Sequence, residues 1–142
     1  MIDANRQNHI IAVARFMKNN AEKVGLNSEE MFTLGFLHDI GYEFDPTFTH
    51  NKTGGILLKN QNYKYYNEVY FHGTPQTEFK SKELDFLNFA DMHIDKTGKY
   101  VSFDERLEDI KTRRGENSDF YINSKTIINE LKNNPLFKDF DM

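Results

Sequence analysis

An imidazole and a carboxylate stand side by side at His38-Asp39, directly after the apolar residues of LGFL. An ionised carboxylate in an apolar setting needs compensation, and a divalent cation supplies it. Such a cation is surrounded only when donors converge from several elements, because one helix cannot enclose an ion. His9 and Asp91 are the two further donors whose surroundings turn them inward, so His9, His38, Asp39 and Asp91 form a candidate ligand set drawn from three segments. Taken singly, each reads as a hydrogen-bonded core histidine or a solvated aspartate; together they read as a metal site. The chain has no cysteine, so nitrogen and oxygen ligands alone are on offer.

The elements that must position these donors follow from apolar spacing. Ile10, Val13, Ala14 and Met17 recur every three to four residues within residues 5–19, which predicts an amphipathic helix with His9 one turn before Val13. Asn27 is placed to cap a second helix over residues 28–38, with Glu30 reaching back three positions later. Its Met31, Phe32, Leu34, Phe36 and Leu37 are expected to be largely buried, and His38 falls one turn after Leu34. Gly41 is expected to end this helix, with Asp45-Pro46 opening a loop. Helices are also predicted at about residues 49–58 and 64–71, the latter closed by Gly73 and Pro75.

Residues 81–94 set Leu84, Leu87 and Asp91 on one face, so Asp91 points where the apolar side chains point. His93, two positions on, lies on another face and reads as core or solvent. Ser102 and Glu105 form a capping box for the next helix, with Phe103, Leu107 and Ile110 inward and Gly115 at its end; a last helix covers about residues 119–132. No segment alternates with period two and nothing repeats. The expected class is therefore all-α, a single domain of six to seven helices over residues 1–142, with its core at about 5–133 and flexible ends.

Composition agrees. A 142-residue chain suits one core, and 38% hydrophobic with 28% charged residues is a globular balance in which 13 Phe and 7 Tyr supply bulk without any Trp. No apolar stretch approaches the roughly 20 residues needed to cross a bilayer, and the polar start MIDANRQNH lacks the apolar centre of a secretory signal. With no cysteine framework, a cytoplasmic location is expected. A net charge of -4 argues against non-specific nucleic-acid binding, which depends on a broad excess of Lys and Arg, and leaves room for a local basic pocket.

The order His9, then LGFLHDIGY, then a downstream His-x-x-x-Gly-Gly from His50, then Asp91 in NFADMHID resembles the HD-domain superfamily of phosphohydrolases, from about residue 5 to residue 113. In detail it resembles small stand-alone members, which commonly carry Pro directly after the loop histidine where this chain has Asn51. The resemblance implies a helical bundle, a divalent metal (Mn, Fe, Co, Mg, Ni or Zn) and hydrolysis of a phosphate ester or anhydride, often of a nucleotide. A bound cation polarises a phosphoryl oxygen and acidifies water, so Asp39 would ligate it and orient the water, with His38 beside it and His9 and Asp91 completing the hold. In two-metal members further histidines hold a second ion; His50 and His72 fall in the corresponding segments, and Asp39 would then bridge the pair.

Phosphate also calls for cationic donors, and Lys52, Lys96 and Arg106 are the candidates, with Arg6 a weaker one. Lys52 precedes Gly54-Gly55, which would allow close backbone approach to an anion at a helix start. The aromatic run over residues 65–71 packs a helix interface or supports a homodimer. Three functions fit: hydrolysis of a phosphomonoester or anhydride of a nucleotide-like small molecule, hydrolysis of a phosphodiester at a two-metal site, or a metal-stabilised signalling module without turnover.

Overall fold

In a computed structural model, which describes residues 3–44 and 49–142, seven α-helices follow one another: α1 Ala4–Asn20, α2 Ser28–Leu37, α3 His50–Asn60, α4 Tyr66–Phe71, α5 Lys82–His93, α6 Phe103–Arg114 and α7 Asp119–Lys132. The all-α class holds. Among the described residues no strand forms, and the one β-like contact is an isolated antiparallel bridge between Ile94 and Tyr100. The expected Asp45-Pro46 loop opening lies outside the described residues. Among those residues no helix is long and apolar enough to cross a membrane.

Short polar side chains start most of these helices, because an oxygen at the cap position accepts an N–H that has no partner within the helix. Asp3 accepts from Arg6, Asn27 from Glu30, Ser81 from Leu84 and Ser118 from Tyr121. Ser102 and Glu105 make the full reciprocal box ahead of α6. At α2 the box is only half formed: the Glu30 carboxylate turns away to Lys64 and the Tyr65 hydroxyl, which ties α2 to the start of α4.

Helix α5 is the axis of the bundle. Every residue from Phe86 to His93 is buried, as is Leu84 two positions earlier. The helix touches α1, α2, α4, α6 and α7, as expected of one that is covered all round. Phe89 anchors an aromatic core, stacking on Phe137 at 4.1 Å between centroids and meeting Phe103 edge-on at 5.6 Å. Fully burying one such ring contributes about 1.5–3 kcal/mol. Around this axis α1 packs against α2, α3 pairs with α4, and α6 with α7.

Two expectations about α2 require correction. Phe36 is 52% exposed, because the inward stripe is Met31, Leu34, Gly35 and His38, and Phe36 stands two positions off it, stacked on Phe32. Gly41 does not end the helix, which stops at Leu37; it sits inside a 3-10 turn, Ile40–Glu43. Its lack of a side chain serves a different contact, since a Cβ there would overlap the backbone carbonyl of His50. Similarly, Gly54 and Gly55 let α3 lie close against Gly41, Val69 and the backbone of Tyr70, so their lack of side chains serves helix packing.

Candidate metal centre

His38 and Asp39 would diverge by about 100° on a continuous helix. They face one centre because the chain changes conformation between them: His38 caps α2 with helical angles, whereas Asp39 (φ -104, ψ 17) starts the 3-10 turn. His9 reaches the same centre from α1, Asp91 from the last turn of α5, His50 from the first residue of α3, and His72 from the end of α4. All six side chains are buried.

The two oxygens of Asp39 look in different directions. Oδ2 lies 3.2 Å from His38 Nε2 and 3.7 Å from His9 Nε2, and those imidazoles also meet Asp91 Oδ1 at 3.5 and 2.8 Å. Oδ1 lies 3.2 Å from His50 Nε2 and 3.4 Å from His72 Nε2. The donors thus fall into two groups that share one carboxylate. His9, His38 and Asp91 offer ligand atoms close enough to hold one ion, as do His38, Asp39 and His72.

Ring tautomers favour cations. The Nδ1 atoms of His9, His38 and His72 lie 3.0, 2.6 and 2.6 Å from the carbonyl oxygens of Asp95, Gly35 and Val69, and a carbonyl only accepts, so each Nδ1 donates and Nε2 is the atom that can offer a lone pair to a cation. His38 Nε2 is fully buried and has no hydrogen bond despite its carboxylate neighbours. An orphaned imidazole nitrogen facing two carboxylates is what a divalent cation satisfies. His50 is held differently, stacked on Tyr42 at 3.8 Å.

In the absence of a cation the cluster is strongly polarised. Burial works against charge on Asp39 and Asp91, but the neighbouring His38 and the imidazole hydrogen bonds outweigh it and hold both carboxyls well below the usual range. Burial likewise opposes charge on His38, yet Asp39 and Asp91 push it up to about 10. Arg6 adds a further cation, with Nη1 3.1 Å from Asp39 Oδ2 and its guanidinium 4.0 Å from the Tyr42 ring.

A cleft opens over the cluster, and Lys52 and Arg106 both line it, whereas Lys96 is exposed and stands away from it. Lys96 follows the bridge residue Ile94 into a surface turn, so its helix no longer directs it. Arg106 is only 7% exposed: it donates Nε–H to the Asp91 carbonyl at 3.3 Å, and its Nη1 lies 3.6 Å from Asp109 Oδ2 on the same helix. His93 is core, its Nδ1 2.7 Å from the Val101 carbonyl and its ring stacked on Phe103.

Sequence reasoning missed what Asn51 does. Its buried amide donates to the carbonyls of Tyr70 and His72 and to Thr74 Oγ1, at 2.9, 3.1 and 3.3 Å. The departure from the Pro of the related proteins is therefore a tether between α3 and the His72 segment. Its signals were its place beside His50 and the departure itself.

The HD domain family model matches residues 6–96, a stretch that contains His9, His38, Asp39, His50, His72 and Asp91. The chain belongs to the HD domain family, whose members are generally metal-dependent hydrolases. No curated protein and no solved structure matches the chain.

Proposed function

We propose that the protein is a metal-dependent phosphohydrolase that cleaves a phosphate ester or anhydride of a small, nucleotide-like molecule. The observation that carries this reading is Asp39, whose two oxygens face separate imidazole pairs. On this reading His9, His38, Asp91 and Asp39 Oδ2 hold one cation, and His50, His72 and Asp39 Oδ1 hold a second. When bound, such cations polarise a phosphoryl oxygen and make water a nucleophile near neutral pH.

The remaining residues prepare the substrate. Arg106 and Lys52 present positive charge to phosphate across the cleft. Tyr42 also lines it; burial and the nearby Asp39 raise its hydroxyl to about 12, so it stays protonated and can donate to a phosphoryl oxygen. Carbonyl anchors fix the imidazole planes in advance, so little reorganisation is needed when a substrate arrives.

Two ion seats also favour a second reading, hydrolysis of a phosphodiester, because paired cations clamp both attacking and leaving oxygens. Release of phosphate from a nucleotide panel, beside cleavage of a chromogenic diester, with Mn(II), Fe(II), Co(II) or Mg(II), tests both. Turnover of one class identifies the substrate bond. A well-metallated protein inert on every ester would refute the enzyme and leave the signalling module.

A further inference from the structure

The family match ends at residue 96, yet the cleft continues past it onto α6 and α7, where Arg106, Arg113, Arg114 and Phe120 line it. Among the described residues, carboxylates line this cleft only at the metal end, as Asp39 and Asp91. Asp104, Glu105 and Glu108 of α6 do not line it. Three guanidiniums therefore stand along one wall, with the Asp109 carboxylate behind them: its Oδ2 lies 3.6 Å from Arg106 Nη1 and 3.2 Å from both Nε and Nη2 of Arg113.

That carboxylate does not satisfy the wall. Arg106 Nη1 is buried and makes no hydrogen bond, and like charges so close together call for an anion between or beside them. Arg114 completes the wall, its guanidinium 4.3 Å from the centroid of Phe120. Arg106 abuts the metal end through its bond to the Asp91 carbonyl, whereas Arg113 and Arg114 follow two turns later on α6; the guanidiniums of Arg106 and Arg113 stand no more than about 7 Å apart, because both reach the same Asp109 oxygen.

We infer that the α6–α7 wall is a second anion subsite and that the substrate is a phosphorylated small molecule bearing a second, non-reacting phosphate on a different carbon. The inference rests on the phosphohydrolase reading for its first phosphate. A second phosphate joined through an anhydride would stay near Arg106, whereas one carried about a sugar's width away reaches Arg113 and Arg114.

The test is calorimetric titration of the full chain, loaded with Mn(II) and kept cold enough to suppress turnover, with adenosine 3′,5′-bisphosphate, adenosine 5′-diphosphate and adenosine 5′-monophosphate. The bisphosphate should bind at least about tenfold tighter than the monophosphate, as charge-assisted hydrogen bonds to one more phosphate require, and tighter than the diphosphate. Substituting Arg113→Gln together with Arg114→Gln should bring the bisphosphate-to-monophosphate ratio close to one. Raising salt from about 50 to about 500 mM should shrink the same ratio in the unaltered protein, a readout that needs no variant. Equal binding of bisphosphate and monophosphate overturns the subsite, and equal binding of bisphosphate and diphosphate overturns the separation. A Mn(II)-loaded protein that turns over no ester but keeps the ratio would sink the hydrolase reading alone; turnover with a ratio of one would sink the subsite alone.

Discussion

Asn51 and His72 are joined by a buried hydrogen bond, the Asn51 amide nitrogen donating to the His72 carbonyl oxygen at 3.1 Å. Through it the first turn of α3, which carries His50, and the segment that carries His72 move as one unit. Asn51→Ala should cost about 1–2 kcal/mol of stability, as expected when buried carbonyls lose their donor. It should also lower metal stoichiometry from two toward one per chain. Unchanged metal content by elemental analysis, in a destabilised but folded variant, would confine Asn51 to a packing role.

Asp39→Asn keeps the side-chain volume but removes the charge shared by both groups of imidazoles. Turnover should fall by about two orders of magnitude or more, with far-UV helix content almost unchanged. A fully metallated variant working at the native rate would refute the assignment.

The two seats should also separate by mutation. His9→Ala and Asp91→Ala should mainly weaken retention of the first ion, so activity lost at low metal returns in part at high metal. His50→Ala and His72→Ala should reduce stoichiometry and turnover more than affinity for the first ion. Metal titration followed by competition with a chelator distinguishes these patterns; identical profiles for all four variants would argue for a single mononuclear site.

The metal-free protein should be most stable in mildly acidic solution. Asp39 and Asp91 sit well below their ordinary value of 3.8, so their contribution is present above that pH and is lost as pH falls through the folded values. His38 is raised from 6.5 to about 10, so its contribution is full below 6.5 and is lost as pH rises toward 10. Thermal melts in the presence of chelator should therefore plateau between about pH 4 and 6.5 and decline on both sides. Metal needs neutral His38, so its binding near neutral pH should release protons, and calorimetry in buffers of differing ionisation enthalpy will show whether it does.

Much of the architecture was legible because it depends on local rules. The caps at Asn27 and Ser102, the apolar period of α1 and the limits of α7 each follow from neighbouring residues. His9, His38, Asp39 and Asp91 were legible as a set because inward-facing polar residues are conspicuous against apolar ones. What escaped was non-local. Nothing in SFDERLEDIKTRRG shows that Arg106 turns inward while Glu105 closes a cap, since both are long charged residues on one helix. Phe36 misled for the converse reason: an apolar run exceeds the width of the buried stripe, and the excess faces water.

The contact between Gly41 and the carbonyl of His50 is made by backbone on both sides. Any side chain at position 41 would lever α3 outward and carry the His50 imidazole with it, although no donor atom had been altered. A screen for inactive variants would accordingly recover Gly41 substitutions together with those of the six histidine and aspartate donors, and a genetic map of the protein would place a residue with no side chain among the residues of the reaction.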